Sequence, residues 1–461
     1  MKRFYHLSLS LAVILAIAST AAFGGLLFDK SEYAARRAKL MEKIPDGIAV
    51  IRGVAMGRFQ DNNFIYLTGL EIPDAILLVD GIRKESVIFF TLTETAARNE
   101  GISVDLVKTP REYTGIERAL PVEQFSSYLL RTSSQAKTIF TLFGPQEVMR
   151  QPGSLQGFLS AMTLDPWDGR LTRELQFVER LKQRFPQNEV KDCSQVIWDM
   201  RKIKSPAEID IMRKAAALGV KASTEVMRTT RPGVYEYELA ALYDFFVKKT
   251  GTDELAFNTI ISSAENHANV HYTRHDRLLV DGDFLVLDAG PDIGYYDTDI
   301  SISFPANGKF SPRQREIYEA CNEVSKTCLS LYRPGISGYE VGEKAREILK
   351  AKGYDLSKDA FTQLRFFKEG GLTHYVGLGT HDAGGRDLDY GAPLKPGCVF
   401  ASDIYAIYPK ENLGVRCENT VLITETGCEN LSKGIPREIG EIEAFMKTDG
   451  AIQVLKDKKL Y

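Results

Sequence analysis

The run "FLVLDAGPDIGYYDTDIS", residues 284–301, limits what this chain can fold into more than any other stretch. Four apolar residues, Phe284 to Leu287, end on Asp288; a glycine-bearing segment follows, and Asp297 and Asp299 fall in the next run. Read as strand, turn and strand, it commits carboxylates to positions where burial is costly unless a positive charge sits among them. With the turn at Ile293 and Gly294, where glycine supplies the dihedral freedom of a tight hairpin, Asp292 faces Tyr295 and Asp288 comes opposite Asp299. Directly opposed strand residues hold their Cβ atoms about 4.5 to 5.5 Å apart. Two carboxylates that close do not both ionise without a cation between them. Divalent metal bridged by the pair resolves the conflict, and two solvated acids on an exposed hairpin are the plain alternative.

The rest of the chain supplies further metal-binding groups. Apart from His6, every histidine lies in one of two windows, "NHANVHYTRH" (His267, His271, His275) and "THYVGLGTH" (His374, His381). "VFASDIYAIYP" sets Asp403 inside an apolar strand, and "GVRCENTVLIT" sets Arg416 and Glu418 two apart, hence on one strand face. Singly, each reads as structural. Together Asp288, Asp299, His374, Asp403 and Glu418 make an oxygen-rich ligand set with one imidazole. Four carboxylates roughly neutralise two divalent ions, and ions about 3.5 to 4 Å apart can share a hydroxide nucleophile. Such a set favours Mn²⁺, with Zn²⁺ and Co²⁺ admitted by the imidazole.

At 461 residues the chain is too long for one ordinary core, so two domains are expected. Its formal net charge of -3 carries no basic excess, which argues against a nucleic-acid partner. Residues 47–150 alternate strand-like runs ("GIAVIRG", "AILLVDG", "SVIFFTL", "TIFTLFG") with helical stretches, an α/β pattern. Ser205, Pro206 and Glu208 read as a helix cap with proline in the first turn and glutamate at its third position. The domain boundary is therefore placed near residue 200. Beyond 255, strands dominate, with helices expected at about 312–332 and 338–352 and a short helical tail after 440. The resulting division is 1–22, 23–200, 201–440 and 441–461.

The opening segment "MKRFYHLSLSLAVILAIASTAAFGG" has basic residues, an apolar stretch and small residues near Ala21 and Ala22. It reads as a signal peptide cleaved near residue 22 or 23, giving an exported protein, periplasmic or secreted, with no membrane attachment after cleavage. The six cysteines leave the disulfide state open, and no CxxC pattern points to a zinc finger.

The order and spacing of the five ligands resemble the pita-bread metallopeptidases, most closely the Xaa-Pro aminopeptidase (aminopeptidase P) and prolidase branch. "MRKIKSPAEIDIMRKAA", "FNTIISSAENHANVHYT", "GDFLVLDAG", "YDTDISISFPANGKFSPRQREIYEA" and "GVRCENTVLITETGCENL" carry the resemblance. "DNNFIYLTGLEIPDAILLV" extends it to the amino-terminal part, and together they cover about residues 40–435. The resemblance implies an α/β creatinase-like amino-terminal domain followed by an α+β pita-bread domain with a curved antiparallel sheet. It implies two divalent ions on Asp288, Asp299, His374, Asp403 and Glu418, with Asp299 and Glu418 contacting both. Asp403 would act as general base, His271 and His381 would line the substrate site, and Arg416 would orient a carboxylate. Dimerisation is common in the family, so a homodimer or higher homo-oligomer is the expectation here. This chain departs from the pattern twice. It has Asp403 within "ASDIY" where the family has Glu in "TIEPG", and Gly370 where Pro-specific members have histidine.

The function expected is removal of an amino-terminal residue from peptides with proline second. Three alternatives stay open: an Xaa-Pro dipeptidase, a metal-free creatinase-like hydrolase, and an inactive member acting as a binding protein, for which Asp403 and Gly370 are the evidence.

Overall fold

In the computed structural model, residues 25–55, 59–147, 167, 169, 171–252, 254–382 and 388–458 are described. The expected export signal and its cleavage position lie outside them. The chain divides into two compact units between Arg201 and Lys202.

In the first unit the apolar runs become a mixed six-stranded sheet. Its strands are β1 (Gly47–Arg52), β2 (Ile76–Asp80), β3 (Glu85–Phe89), β4 (Arg118–Leu120), β5 (Thr138–Thr141) and β6 (Glu189–Asp192), in the order β4-β3-β2-β1-β5-β6. β1–β2 and β2–β3 are antiparallel, whereas β1–β5, β3–β4 and β5–β6 are parallel. Ile48, Val50, Leu78, Val87, Phe89 and Ile139 share one core with Phe125, Tyr128 and Leu129 from α1 (Phe125–Ser133) and Leu181 from α2 (Arg173–Arg184). Ala49, Ile51, Leu77 and Val79, which alternate with them, are buried as well, so both faces of the sheet are covered.

The second unit opens with α3 (Pro206–Thr229), capped as its sequence predicts: the Ser205 hydroxyl accepts from the Glu208 N–H, and the Glu208 carboxylate accepts from the Ser205 N–H. The same reciprocal cap starts α5 (Pro312–Leu331), at Ser311 and Gln314, and α6 (Gly338–Ala351), at Ser337 and Glu340. Between them, α4 (Glu236–Lys248) packs on α3. Each cap stabilises its helix by about 1 kcal/mol.

The sheet of this unit comprises β7 (Ile260–Ser263), β8 (Phe284–Ala289), β11 (Ile300–Pro305), β12 (Leu372–Tyr375), β13 (Val399–Tyr408), β14 (Leu413–Ile423) and β15 (Cys428–Asn430). Its order is β12-β13-β14-β11-β8-β7, with β15 on β14, and every pairing is antiparallel. Period-2 alternation sorts its side chains. Ile300, Ile302, Phe400, Ile404, Val415, Cys417 and Val421 join the core with the helices. Asp288, Ser301, Asp403, Arg416 and Glu418 alternate with them and face the other way. Among the described residues, no helix is long and apolar enough to cross a membrane.

The hairpin register differs from the sequence expectation. β9 (Asp292–Ile293) pairs β10 (Tyr296–Asp297) with Ile293 opposite Tyr296 and Asp292 opposite Asp297, so the turn is Gly294–Tyr295. Both turn residues have positive φ, 59° and 75°, as a two-residue turn of this hand demands. The Asp292 carboxylate, accepting from the Tyr295 N–H at 3.2 Å, steadies a tyrosine in a conformation that favours glycine. Asp288 therefore pairs with Ser301, and Asp299 stands just before β11.

Candidate metal centre

The corrected register sets a single row across four strands. Asp403 pairs with Glu418, Glu418 with Ser301, and Ser301 with Asp288. All four are buried, so three carboxylates lie side by side in a dry row. The Ser301 hydroxyl donates to Glu418 Oε2 at 2.6 Å. Asp299 is held next to the row by Thr420, whose hydroxyl accepts from the Asp299 N–H at 3.0 Å and donates to its carbonyl at 2.8 Å.

Arg416 is the hub. Its Nε donates to Asp403 Oδ1 at 3.1 Å and its Nη2 to Asp403 Oδ2 at 2.9 Å, a two-pronged grip on both oxygens. Nη2 also meets Glu418 Oε2 at 3.0 Å, and Nη1 donates to Asp288 Oδ2. Burial works against the guanidinium charge, but Asp288, Asp403, Glu418 and Asp299 more than offset it and keep Arg416 protonated. Burial also raises Asp403, a shift that Arg416 opposes.

Glu418 also belongs to a second group, in which the remaining ligands converge. Asp299, His374 and Glu418 each offer an atom within 4.8 Å of the others. His374 Nδ1 lies 3.2 Å from the Tyr375 carbonyl, which can only accept, so Nδ1 carries the proton and Nε2 presents its lone pair. That nitrogen stands 3.5 Å from Asp299 Oδ2. Burial, reinforced by His381, drives the His374 pKa well below its usual value, so the ring is neutral. Burial, then Glu418 and Asp288, pushes Asp299 well above the carboxylate range, and burial does the same to Glu418. Asp288 Oδ1, Asp299 Oδ1 and Glu418 Oε1 are buried without a hydrogen-bond partner. Two acids that each carry an orphaned oxygen, Asp299 and Glu418, converging with a neutral imidazole fit a divalent cation.

The other expected residues lie around this group. The half-exposed His381 ring sits 4.1 Å, centroid to centroid, from that of His374. His271 is exposed on the loop after β7, its N–H donating to Asn269. Gly370 has φ +65°, and a Cβ there would lie 2.5 Å from the Gly338 carbonyl oxygen and 2.6 Å from Val341 Cβ. The backbone itself thus bars a histidine at this position. None of the six cysteines is in a disulfide.

Sequence reasoning missed the residues that hold the histidine loops. Lys204 Nζ donates to Asp382 Oδ2 at 3.0 Å with both side chains 1% exposed, and the Thr380 hydroxyl donates to Asp297 Oδ2 at 3.1 Å, fixing His381 from both sides. Buried Glu236 accepts from Ser263, Asn266 and the Tyr272 hydroxyl and anchors the segment bearing His267 and His271. The only signal for the first pair was adjacency, Lys204 to a helix cap and Asp382 to His381.

Residues 210–425 match metallopeptidase family M24, and residues 33–140 match the aminopeptidase P amino-terminal domain. The Xaa-Pro aminopeptidase of Escherichia coli (strain K12) is 30% identical over 452 residues, spanning 90% of this chain and 98% of its own length. This chain belongs to metallopeptidase family M24. Human Xaa-Pro aminopeptidase 3 is 28% identical over 408 residues, covering 83% of this chain and 76% of its own. The Xaa-Pro dipeptidase of Pyrococcus furiosus is 34% identical over 262 residues, 57% of this chain and 72% of its own. Among solved structures, proline aminopeptidase P II from Yersinia pestis superposes with a TM-score of 0.72 at 26% identity, covering 91% of this chain and 100% of that one. E. coli aminopeptidase P with the inhibitor Pro-Leu gives 0.71 at 27% identity, over 91% and 98%. As an M24 member, the chain has an aminopeptidase P amino-terminal domain with a mixed sheet, then a pita-bread catalytic domain with an antiparallel sheet. The family implies divalent metal, and Asp299, His374 and Glu418 fit it.

Proposed function

We propose that this M24 protein is an exported Xaa-Pro aminopeptidase that cleaves the bond between an amino-terminal residue and a following proline. The observation that carries the reading is the convergence of Asp299, His374 and Glu418, both acids of the group carrying a buried oxygen without a hydrogen-bond partner. Divalent metal at these residues supplies Lewis acidity to a scissile carbonyl and to attacking water. The chain's own groups do the rest. Neutral His374 binds through Nε2 because its other nitrogen is committed to the Tyr375 carbonyl. His381, beside it and half-exposed, donates a hydrogen bond to the oxygen that gains charge as the carbonyl becomes tetrahedral. His271, exposed on its loop, meets the substrate backbone. Arg416 fixes Asp288 and Asp403, and a general-base role for Asp403 requires its carboxylate to leave that grip.

Export rests on the basic, apolar and small-residue order of residues 1–22, Mn²⁺ as the metal on the oxygen-rich donor set, and homo-oligomerisation on family habit. The test uses the mature chain from about Ala22 with an Xaa-Pro-Yaa tripeptide. The first residue is released with Mn²⁺, release stops on chelation, and it returns when Mn²⁺ is restored. A second reading, a binding protein with little or no turnover, is favoured by the grip of Arg416 on Asp403 and by the closed backbone at Gly370. Folded, metal-loaded protein that releases nothing establishes it, and Asp403→Glu, one methylene longer, is then the variant expected to turn over.

A further inference from the structure

The family expectation is two ions, yet the carboxylates of this centre fall into two sets. One set points at Arg416: both oxygens of Asp403, Oδ2 of Asp288 and Oε2 of Glu418. The other comprises Asp299 Oδ1, Glu418 Oε1 and Asp288 Oδ1, buried without a hydrogen-bond partner, and Asp299 Oδ2, which lies 3.5 Å from His374 Nε2. Only Asp299, His374 and Glu418 bring ligand atoms within 4.8 Å of one another among the described residues, and Asp403 is not in that group.

We infer that this chain holds a single divalent ion, on Asp299, His374 and Glu418, and that Arg416 stands in for a second ion by binding Asp403 and Asp288. Aspartate at position 403 is one methylene shorter than the family glutamate, and its directly paired neighbour across the sheet is Glu418, two residues from Arg416. Its carboxylate therefore ends against the guanidinium, where two parallel N–H donors match its two oxygens. A further divalent ion on the same oxygens would lie a few ångströms from a fixed positive charge that has the same carboxylates as partners, at low effective dielectric where that repulsion is strong. Glu418 serves both sets, one oxygen each, and so couples the position of the ion to that of Arg416. Asp403 is accordingly a positioning residue, holding Arg416 and through it Asp288 and Glu418.

The inference rests on the metallopeptidase reading only for the presence of a metal, and its test reads no activity. The full mature chain is dialysed against Mn²⁺, desalted, checked for folding by circular dichroism, and measured for metal content and by electron paramagnetic resonance. One Mn²⁺ per chain with the hyperfine-split signal of an isolated ion is expected, with content unchanged in Asp403→Asn and lost in His374→Ala. Two ions per chain with a spin-coupled signal, reduced to one in Asp403→Asn, overturn the inference and leave the metallopeptidase reading standing. Folded wild-type protein that retains no ion overturns both. The wild-type measurement decides the matter even where a variant fails to fold.

Discussion

At the scale of single residues, Arg416 decides how four acids share one dry face. Its guanidinium touches three carboxylates at once, and no other cation is seen to touch Asp288 or Asp403 among the described residues. Arg416→Met leaves those charges buried without a partner and is expected to destabilise the second unit by about 3 to 5 kcal/mol, the cost of breaking a buried pair from one side. Arg416→Lys restores the charge but not the two parallel donors, so it recovers only part of the loss. Urea unfolding of the three proteins after chelation checks this. A lysine variant as stable as wild type would show that charge alone suffices. The expectation that Arg416 orients a carboxylate came from family resemblance; that it holds three follows from the row in which Asp403, Glu418, Ser301 and Asp288 are paired.

At the scale of elements, the same row explains what was legible in the sequence. Acids set singly into apolar runs, at Asp288, Asp403 and Glu418, mark strands whose alternate face is polar, and this signal survives any error in register. The cap at Ser205, the one read from the sequence, is equally local, needing only Glu208 three positions on, and Ser311 and Ser337 repeat its pattern in the structure. The register of the β9–β10 hairpin was not legible, because a lone Gly294 drew the turn to itself. The true turn asks positive φ of Tyr295, a demand met by the Asp292 side chain and by packing. The Lys204–Asp382 pair joins residues 178 apart in sequence, which no window reveals. Gly370 belongs to the same class. Its left-handed conformation is imposed by the close approach of the 366–371 loop to α6, where Gly338 and Gly342 also leave no room for a Cβ. Gly370→His, which would install the family residue, is therefore expected to destabilise the fold rather than improve turnover. The left-handed backbone costs about 1 to 2 kcal/mol, and the clash with the Gly338 carbonyl adds to it. Thermal unfolding together with the tripeptide assay reads both effects, and a stable, faster Gly370→His protein would refute the packing argument.

At the scale of the whole molecule, each unit buries a neutral titratable group, His267 in the second and Asp61 in the first, and these two groups respond to pH in opposite directions. In the second unit His267 is buried neutral, with Nε2 donating to the Phe284 carbonyl at 3.0 Å and Nδ1 accepting from Ser262, and burial lowers its pKa from 6.5 to about 4. Below pH 6.5 the unfolded chain takes up a proton that folded His267 refuses, so its contribution falls as the pH drops through the window from 6.5 to 4. In the first unit Asp61 is fully buried, accepting from the backbone N–H groups of Phe64 and Glu147. Burial, then Glu147, raises its pKa from 3.8 to about 7. There the folded state keeps a proton that the unfolded chain releases, so stability falls as the pH rises from 3.8 to 7. Between pH 7 and pH 5 each effect is on the order of 2 kcal/mol, at about 1.4 kcal/mol per unit of pKa difference. Variants isolate each from the other buried acids. The stability lead of wild type over His267→Gln is expected to shrink on acidification, and its lead over Asp61→Asn to grow. Urea melts followed by hydrogen exchange of peptides from each unit distinguish the two, because a chain of two compact units need not unfold in one step. Leads that both move in the same direction, or not at all, would mean that His267 and Asp61 are not the buried neutral groups their surroundings make them.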